Sequence, residues 1–388
     1  MLYSIPGHIK IRKLTEKKFS SSTALYPHGV AVLEDHYSER KFLINNTICT
    51  FIEKFQTAKD FITANKEIAV EVNVTEDDIR PYTEPFFNHL KKMRFIVESG
   101  SYKPVKPKTL LRKNNVLGNY RIEKKLDTTR KTDIYIGKHT ASKKTVVIKL
   151  LKQANAENIA GFKREYNFLS ALKNSSVTPR VFDFIEGKEC YYFIQDYVKG
   201  IELNDYLDNH PHMRLRSFVT ITEAIINGFK IIHDKGIVHG DIHPANIFVT
   251  PSKQVKIIDF GMALHQKLEH NEMVKHGGAY FYMPPERINS TTHNKFLKQP
   301  DFYSDVYQTG VVLYTMLYNK YPFNGIIWEE LAQEIKEKEP IFGDVSSFGF
   351  VVPVWLKELI KECIAKNPEQ RFATAAQLHK AFKKSIFK

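Results

Sequence analysis

The sequence predicts an α+β protein made of a small first part and a larger second part. Residues 99–119, SGSYKPVKPKTLLRKNNVLGN, hold two prolines, two glycines, five basic residues and no acidic residue, which is typical of an extended linker. Before this segment, strand patterns lead into helix patterns; after it, strands come first and helix patterns fill most of the remaining chain. The 388 residues are enough for two or three domains.

The composition excludes several classes of protein but leaves the partner open. The chain is 43% hydrophobic and has no run of 18 apolar residues, so we expect no membrane span. The N-terminus lacks the apolar core of a secretory signal. Cys49, Cys190 and Cys363 are far apart and odd in number, which fits a reduced, cytoplasmic chain. A net charge of +14 is compatible with nucleic acid, anionic lipid, nucleotide phosphates or an acidic peptide.

The first part has the pattern of two strands followed by three helices. The segments GVAVLEDHY (29–37) and RKFLIN (40–45) predict two strands. The segment that follows them, NTICTFIEKF (46–55), predicts a helix capped by an asparagine. Thr57 with Asp60, and Thr75 with Asp78, have capping-box spacing and predict the starts of two more helices. The last helix has one apolar face with a period of three or four, formed by Ile79, Tyr82, Phe86, Leu90 and Met93. RFIVES (94–99) predicts a returning strand.

Two strands and three helices in this order predict a winged-helix-like domain over residues 1–98. The pattern LINNTICTFIEKF followed by TAKDFITANKEIAVEVNVTEDDIRPYTEPFFNHLKKMRFI is similar to the peptide-recognition domains of the PqqD type, over residues 25–98. The resemblance implies binding of the leader of a ribosomally made, modified precursor peptide, added as a strand to a sheet edge. A DNA-binding winged helix and a purely structural extension are the alternatives. Residues 99–117 are then a linker.

The second part carries several short motifs in a fixed order. After the strand patterns YRIEKKL, DIYIGKH and TVVIKLL, Lys149 is the only charge inside the apolar run VVIKL, and Glu165 follows sixteen residues later on a predicted helix. Glu157 is a second carboxylate nearer the helix start, where a capping role suffices. Further along come HGDIHPAN, with Asp241 and Asn246, and then IIDFG, MPPERI, SDVYQTGVVLYTML and NPEQRFATAAQL.

This set resembles the eukaryotic-like protein kinases over residues 118–386. The resemblance implies a bilobal fold over residues 118–388, with an N-lobe at 118–198 and a C-lobe at 199–388. It implies an ATP- and Mg²⁺-dependent phosphotransferase. The implied roles are phosphate binding by Lys149 paired with Glu165, orientation of the acceptor hydroxyl by Asp241, and Mg²⁺ binding by Asn246 and Asp259. Glu286, Arg371 and Asp305 have implied structural roles in the C-lobe.

The nucleotide-binding residues are placed by the same resemblance. Gln195 falls at the gatekeeper position of the strand CYYFIQDYV, and Asp196 and Val198 would offer backbone groups to adenine. Two apolar positions would enclose the ring, formed by Ile148 on one side and by Ile247 or Phe248 on the other. The glycine-rich loop is absent, because the turn between the first two strands is DTTRKT (127–132). Phosphate would then be contacted by side chains such as Thr128, Thr129, Arg130 or Lys131, or the turn stays away from the nucleotide.

The catalytic loop departs from most protein kinases at two positions. Gly240 stands where an arginine normally binds an activation-loop phosphate, and the segment 261–285 contains no serine or threonine. Together these predict a kinase that needs no activation-loop phosphorylation, although Tyr280 and Tyr282 remain candidate sites. His243 gives the form HGDxHxxN of small-molecule phosphotransferases; it would contact the γ-phosphate or the acceptor, or hydrogen-bond within the loop.

The sequence therefore predicts a serine/threonine kinase acting on a precursor peptide captured by the first part. The alternatives are a general bacterial protein kinase whose winged helix binds DNA or a regulator, a small-molecule phosphotransferase, and a pseudokinase scaffold. HGDIHPAN favours the small-molecule enzyme, whereas MPPER, SDVYQTG and Arg371 disfavour it. Only the missing glycines favour a scaffold. A peptide or protein substrate is the expected partner, with nucleic acid as the alternative.

Overall fold

In the computed structural model the chain divides into two compact units, residues 1–109 and 110–388, and each is described by itself. The structure describes residues 2–6, 9–14, 30–35, 41–71, 73–92, 95–99, 111–128, 131–152, 154–187, 190–266, 279–289, 297–324 and 328–386. The predicted linker lies mostly outside these residues, as do Met93, Thr129 and Arg130. Among the described helices, none combines the length and apolar character needed to cross a bilayer.

The first unit is a small α+β fold with two antiparallel sheets. One sheet pairs β1 (Tyr3–Ser4) with β5 (Val97–Glu98). The other has the order β2 (Ile9–Leu14), β3 (Val30–Asp35) and β4 (Lys41–Asn45). The helices are α1 (Asn46–Glu53), α2 (Phe61–Glu71) and α3 (Glu76–Lys92). The predicted strand pair and three helices are present, whereas β1 and β2 were not predicted.

The helices of the first unit close over an aromatic core. Phe51, Phe55 and Phe87 are at most 4% exposed, and the ring centroids of Phe55 and Phe87 lie 5.3 Å apart. The predicted apolar face of α3 is wrong in part, because Tyr82 is 78% exposed. Thr83 takes the inward position instead, and its hydroxyl donates to the amide oxygen of buried Asn65 at 2.5 Å.

The predicted helix starts have different outcomes. Thr75 and Asp78 form the reciprocal capping box, with the Asp78 N–H donating to the Thr75 hydroxyl and the Thr75 N–H donating to the Asp78 carboxylate. The pairing of Thr57 with Asp60 was wrong. Asp60 itself caps α2 by accepting from the N–H of Thr63 at 2.9 Å, which is the ordinary role of an aspartate just before a helix.

The N-terminal lobe of the second unit is an antiparallel sheet with one helix. Its elements are β6 (Val116–Leu117), β7 (Tyr120–Thr128), β8 (Thr132–His139), β9 (Thr145–Leu151), α4 (Ala156–Ala171), β10 (Val181–Glu186) and β11 (Tyr191–Asp196). The strand order in the sheet is β10-β11-β9-β8-β7-β6. The bounds of β7, β8 and β9 are close to the predicted strand patterns YRIEKKL, DIYIGKH and TVVIKLL, because each is an apolar or alternating run between turn residues. Strand β6 was not predicted.

The C-terminal lobe is mostly helical. Its helices are α5 (Leu203–Asp208), α6 (Leu215–His233), α7 (Phe302–Tyr318), α8 (Trp328–Glu337), α9 (Val354–Cys363) and α10 (Ala375–Ile386). Its short strands are β12 (Ile201–Glu202), β13 (Ile237–Val238), β14 (Ile247–Val249), β15 (Val255–Ile257) and β16 (Leu264–His265). Helix α7 runs through the core, where Val311, Val312 and Leu313 have no exposed surface.

Gly310 allows α7 to pack closely on the end of α9. A Cβ added at this position would meet Ile364 Cγ2 at 2.7 Å, so a larger residue would force the helices apart. Because α7 is fixed in this way, the polar side chains on its first turns are held at a defined place beside the catalytic loop.

Candidate active site

Lys149, Glu165 and Asp259 meet in one cluster. Strand β9 carries Lys149, whose ammonium donates to both carboxylate oxygens of Glu165 on α4, at 2.7 and 2.8 Å. The Asp259 carboxylate lies 3.8 Å from the same ammonium. Burial alone would lower the pKa of Lys149, but the two carboxylates outweigh it and raise this pKa above its usual value. The lysine therefore stays charged.

Asp259 combines a strained backbone with an accessible carboxylate. Its φ of +62° lies in the left-handed region, which aspartate adopts at some cost. The N–H of Gly261 donates to its carboxylate at 3.2 Å, and the side chain is 48% exposed. Lys149 lowers the pKa of this carboxyl, with burial opposing it. Asp259 is thus an ionised, reachable oxygen ligand.

The loop from His239 to Asn246 is held by the first turns of α7. Asp305, which has no exposed side-chain surface, accepts from the N–H groups of His239 at 2.7 Å and Gly240 at 2.8 Å. The amide oxygen of Gln308 accepts from the N–H of Ile242 at 3.0 Å. These contacts bracket Asp241 on both sides, so its backbone is fixed by buried hydrogen bonds.

His233 extends this network away from the loop. Its Nε2 lies 3.0 Å from Asp305 Oδ2, and its Nδ1 accepts from the N–H of Ala375 at 3.1 Å. The second bond makes the first residue of α10 part of the same hydrogen-bond chain.

Asp241 has three described neighbours, two at its carboxylate and one at its backbone carbonyl. The N–H of Ala279 donates to Oδ1 at 3.3 Å, and His243 Nε2 lies 3.7 Å from Oδ2. Asn246 donates its amide N–H to the Asp241 carbonyl at 2.9 Å and lies 3.0 Å from His243 Nε2. This leaves the amide oxygen of Asn246 for a ligand. His243 thus bonds within the loop, as one of the two predicted roles requires.

The Glu286–Arg371 pair fixes the MPPERI segment. Arg371 donates to both carboxylate oxygens of Glu286, at 3.0 and 2.8 Å, and its side chain has no exposed surface. Such a two-pronged contact is the strong, directional form of an arginine–carboxylate pair. It ties MPPERI to the segment just before α10.

A family model described as the protein kinase domain matches residues 120–383, more than half of the chain. The chain belongs to the protein kinase domain family. The match includes Lys149, Asp241, Asn246 and Asp259, and it begins after the first unit. This result agrees with the bilobal α+β fold and with the predicted resemblance of the second part.

The matches between this chain and three curated relatives cover only part of the length of each relative. The chain is 26% identical over 269 residues to the serine/threonine-protein kinase PrkC of Bacillus subtilis, covering 68% of this chain and 40% of that protein. It is 28% identical over 239 residues to a probable serine/threonine-protein kinase of Clostridium perfringens, covering 60% and 33%. It is 27% identical over 271 residues to the serine/threonine-protein kinase pkn2 of Myxococcus xanthus, covering 67% and 32%. The chain therefore spans about a third to two fifths of these relatives.

The kinase-domain sheet corrects one predicted nucleotide contact. Ile148 has no exposed surface and packs with Tyr135 and Ile194 in a cluster on the face of the sheet opposite to Lys149. Because side chains alternate along a strand, Val147 shares the face of Lys149 and replaces Ile148 as the candidate ring contact. The same alternation places Ile247 and Phe248, the two candidates for the other side of the adenine ring, on opposite faces of β14. Ile247 has no exposed surface, whereas Phe248 is partly exposed.

At the end of β11, some of the groups predicted to contact adenine already have hydrogen-bond or ion-pair partners within the protein. Gln195 is partly buried, and Asp196 donates its N–H to the Arg180 carbonyl at 2.8 Å. Its carboxylate is paired with Lys144 at 2.7 Å and with Arg180 at 2.9 Å. A base contact by Asp196 would therefore use its carbonyl oxygen. Val198 accepts from the N–H of Gly200 at 3.1 Å.

The buried carboxylate of Asp133, which the sequence patterns did not predict as important, connects the glycine-free turn between β7 and β8 to the sheet. Asp133 has no exposed side-chain surface; Lys125 Nζ lies 2.8 Å and Lys152 Nζ 3.8 Å from it. The hydroxyl of Thr128 also donates to Asp133, and the N–H of Lys152 donates to the Lys131 carbonyl at 2.7 Å. An acidic residue at the start of an apolar strand was the available signal.

Asp133→Asn is expected to destabilise the kinase domain by about 3 kcal/mol, because it removes the buried counterion of two lysines. Burial would raise the pKa of Asp133, but Lys125 and Thr128 hold it below its usual value. The stabilisation is therefore present above the unfolded pKa of about 3.9 and disappears as the pH falls through the lower folded value. Urea unfolding between pH 7 and pH 3 measures this. Asp127→Asn, at an exposed position in the same turn, is the control; equal stability of both variants at pH 7 would contradict the prediction.

Proposed function

We propose that this chain is an ATP- and Mg²⁺-dependent serine/threonine protein kinase. The observation that carries the proposal is the cluster in which Lys149 is 2.7 Å from Glu165 and 3.8 Å from Asp259, beside a braced Asp241. Phosphoryl transfer depends on positioning and on charge stabilisation, and these residues offer both. The printed names of the relatives support serine or threonine as the acceptor type.

The residues present fit the two cofactors. Among the described residues, no group of three or more histidine, cysteine, aspartate or glutamate side chains is suited to hold a metal. Mg²⁺ commonly binds one or two protein carboxylates together with substrate phosphates. Asp259 and the amide oxygen of Asn246 would supply the protein ligands, and Lys149 would bind the phosphates. Bound Mg²⁺ supplies charge neutralisation for the phosphoryl group.

Asp241 would orient the hydroxyl of the acceptor. Its carboxylate is held by the Ala279 N–H on one side and approached by His243 on the other. Burial would lower the pKa of His243, but Asp241 and other nearby carboxylates outweigh it and raise this pKa. The raised pKa of His243 is the effect expected from its contact with the Asp241 carboxylate, and we infer that this contact helps to position the Asp241 side chain.

Labelled ATP and Mg²⁺ test the proposed activity. The wild-type protein should transfer label to a general acceptor such as casein or a serine/threonine peptide mixture, whereas Asp259→Asn should show no transfer above background. Alkali lability and phosphoamino-acid analysis would identify serine or threonine. Absence of Asp259-dependent transfer to every acceptor would reject the kinase proposal, and transfer to aminoglycosides or choline alone would favour a small-molecule enzyme.

We further propose that the first unit recruits the substrate as an added strand. Within the described residues, β2 and β4 each pair on one side only, with β3 between them. An extended peptide can add to such an edge through backbone hydrogen bonds. A leader segment held in this way would raise the local concentration of the acceptor near Asp241. The hydrophobic pattern similar to PqqD-type domains supports a precursor peptide as this substrate.

A matched pair of peptides tests the recruitment. The KM for a leader-bearing precursor should be at least about 100-fold lower than that of the same core without its leader, because tethering increases effective concentration. Free leader added separately should compete and raise the KM of the full precursor. Equal KM values would exclude leader capture. Salt-sensitive binding of duplex DNA by the protein would instead favour the DNA-binding alternative.

A further inference from the structure

Gly240, where most protein kinases carry an arginine, is tightly packed against neighbouring residues. Its φ is +77°, where residues with a Cβ are strained. A Cβ added here would lie 3.0 Å from the carbonyl oxygen of Met262 and 3.1 Å from Cγ of Pro300. A residue with a Cβ would therefore be strained here, and Met262 and Pro300 would have to shift by about a few tenths of an ångström to admit it.

A different arginine lies next to this glycine. Arg287, in the MPPERI segment, is only 1% exposed and is the largest of the fully buried side chains described. Its Nε donates to the Lys298 carbonyl at 3.2 Å, and its Nη1 lies at 3.5 Å from the Gly240 carbonyl. That carbonyl belongs to the peptide bond that leads directly into Asp241.

The surroundings of Arg287 are acidic, as a buried cation requires. Burial lowers its pKa, while the carboxylates of Asp241, Asp305, Glu286 and Asp301 oppose this effect. A guanidinium keeps its charge under these conditions because its ordinary pKa lies far above neutral pH. The N–H groups of the catalytic loop thus donate to Asp305 and Gln308 of α7, while the carbonyl of Gly240 faces the cationic side chain of Arg287.

We propose that Arg287 is a built-in positioning cation that holds the Gly240–Asp241 peptide in place of the missing catalytic-loop arginine. The inference rests on the proposed kinase function for its activity readout. An arginine on the loop itself can be controlled by a phosphate on the activation segment. Arg287 is buried, its charge is permanent, and the segment 261–285 contains no serine or threonine. Asp241 would then be held in position without a phosphorylation step.

Steady-state kinetics of Arg287 variants test this positioning role. Arg287→Met should lower kcat about 100-fold, the effect expected of a displacement near 1 Å at the reacting group, while KM for ATP changes less than about threefold. Arg287→Lys should recover part of kcat because it restores a cation. Arg216→Met, at an exposed position on α6, is the matched control and should keep wild-type kinetics. Phosphatase treatment of the wild-type protein should leave kcat unchanged.

Hydrogen exchange separates this inference from the proposed function. In Arg287→Met, amides of residues 239–242 should exchange at least about tenfold faster than in Arg216→Met, whether or not the wild type is an active kinase. Unchanged exchange in this loop would overturn the inference. So would a kcat within twofold of wild type for the folded Met variant, or loss of wild-type activity after phosphatase treatment. If the wild type lacks activity but exchange responds as expected, the kinase proposal fails and the positioning role stands.

Discussion

Lys149→Met is expected to lower kcat/KM for phosphoryl transfer between about 100- and 1,000-fold, because it removes the charged group that we propose binds the phosphates of ATP. The variant also leaves the buried carboxylate of Glu165 without its cation. We expect this carboxyl to take up a proton, since an unpaired buried charge is costly. The fold should therefore survive, and circular dichroism should match the wild type.

Lys138→Met is the control for this experiment. Lys138 also lies in the N-lobe sheet, but its side chain is 47% exposed and 3.9 Å from Glu123. Its removal should change kcat/KM less than twofold. Full activity in Lys149→Met would contradict the assignment of Lys149 and with it the central cluster of the proposed site.

Arg371→Met is expected to destabilise the second unit by about 3–5 kcal/mol, because it leaves Glu286 without its buried partner. The arginine also donates to the carbonyls of Ala365 and Lys366, at 2.7 and 3.0 Å, so several buried acceptors lose their donor. Urea unfolding followed by tryptophan fluorescence measures the loss. Both tryptophans, Trp328 and Trp355, lie in this unit.

A double-mutant cycle with Glu286→Gln isolates the ion pair. The two substitutions together should cost less than the sum of the single effects, since the second removes a charge that the first has already left unpaired. Additive effects, or a loss below about 1 kcal/mol for Arg371→Met, would contradict a structural role for this pair.

The parts of the site that could be predicted are those with a fixed order along the chain. Lys149, Asp241 and Asn246 each stand inside a short motif, and strand and helix periodicity places the motifs on elements that the structure contains. The Lys149–Glu165 contact follows because a strand and a helix separated by a short turn pack side by side. Such residues are specified locally, so a single sequence is sufficient to find them.

The parts that could not be predicted depend on contacts between distant segments. Asp133 finds its lysines through strand pairing, and Arg287 reaches Gly240 across 47 residues. The predicted inward face of α3 was wrong at Tyr82, because Thr83 points inward there and donates to buried Asn65, a polar contact that apolar periodicity does not consider. Ile148 was assigned to the wrong face because the strand was recognised but its alternation relative to Lys149 was not used.

The chain of hydrogen bonds from Ala375 through His233 to Asp305 has a consequence for how the protein tolerates change. His233 and Ala375 are 142 residues apart, yet both act on the same buried carboxylate network. A shift of α10 would displace the N–H donor that orients His233 and, through His233, would disturb Asp305, which holds the backbone next to Asp241. Mutational sensitivity should therefore extend to the beginning of α10, so a map of inactivating substitutions would include Ala375, which lies outside the loop from His239 to Asn246.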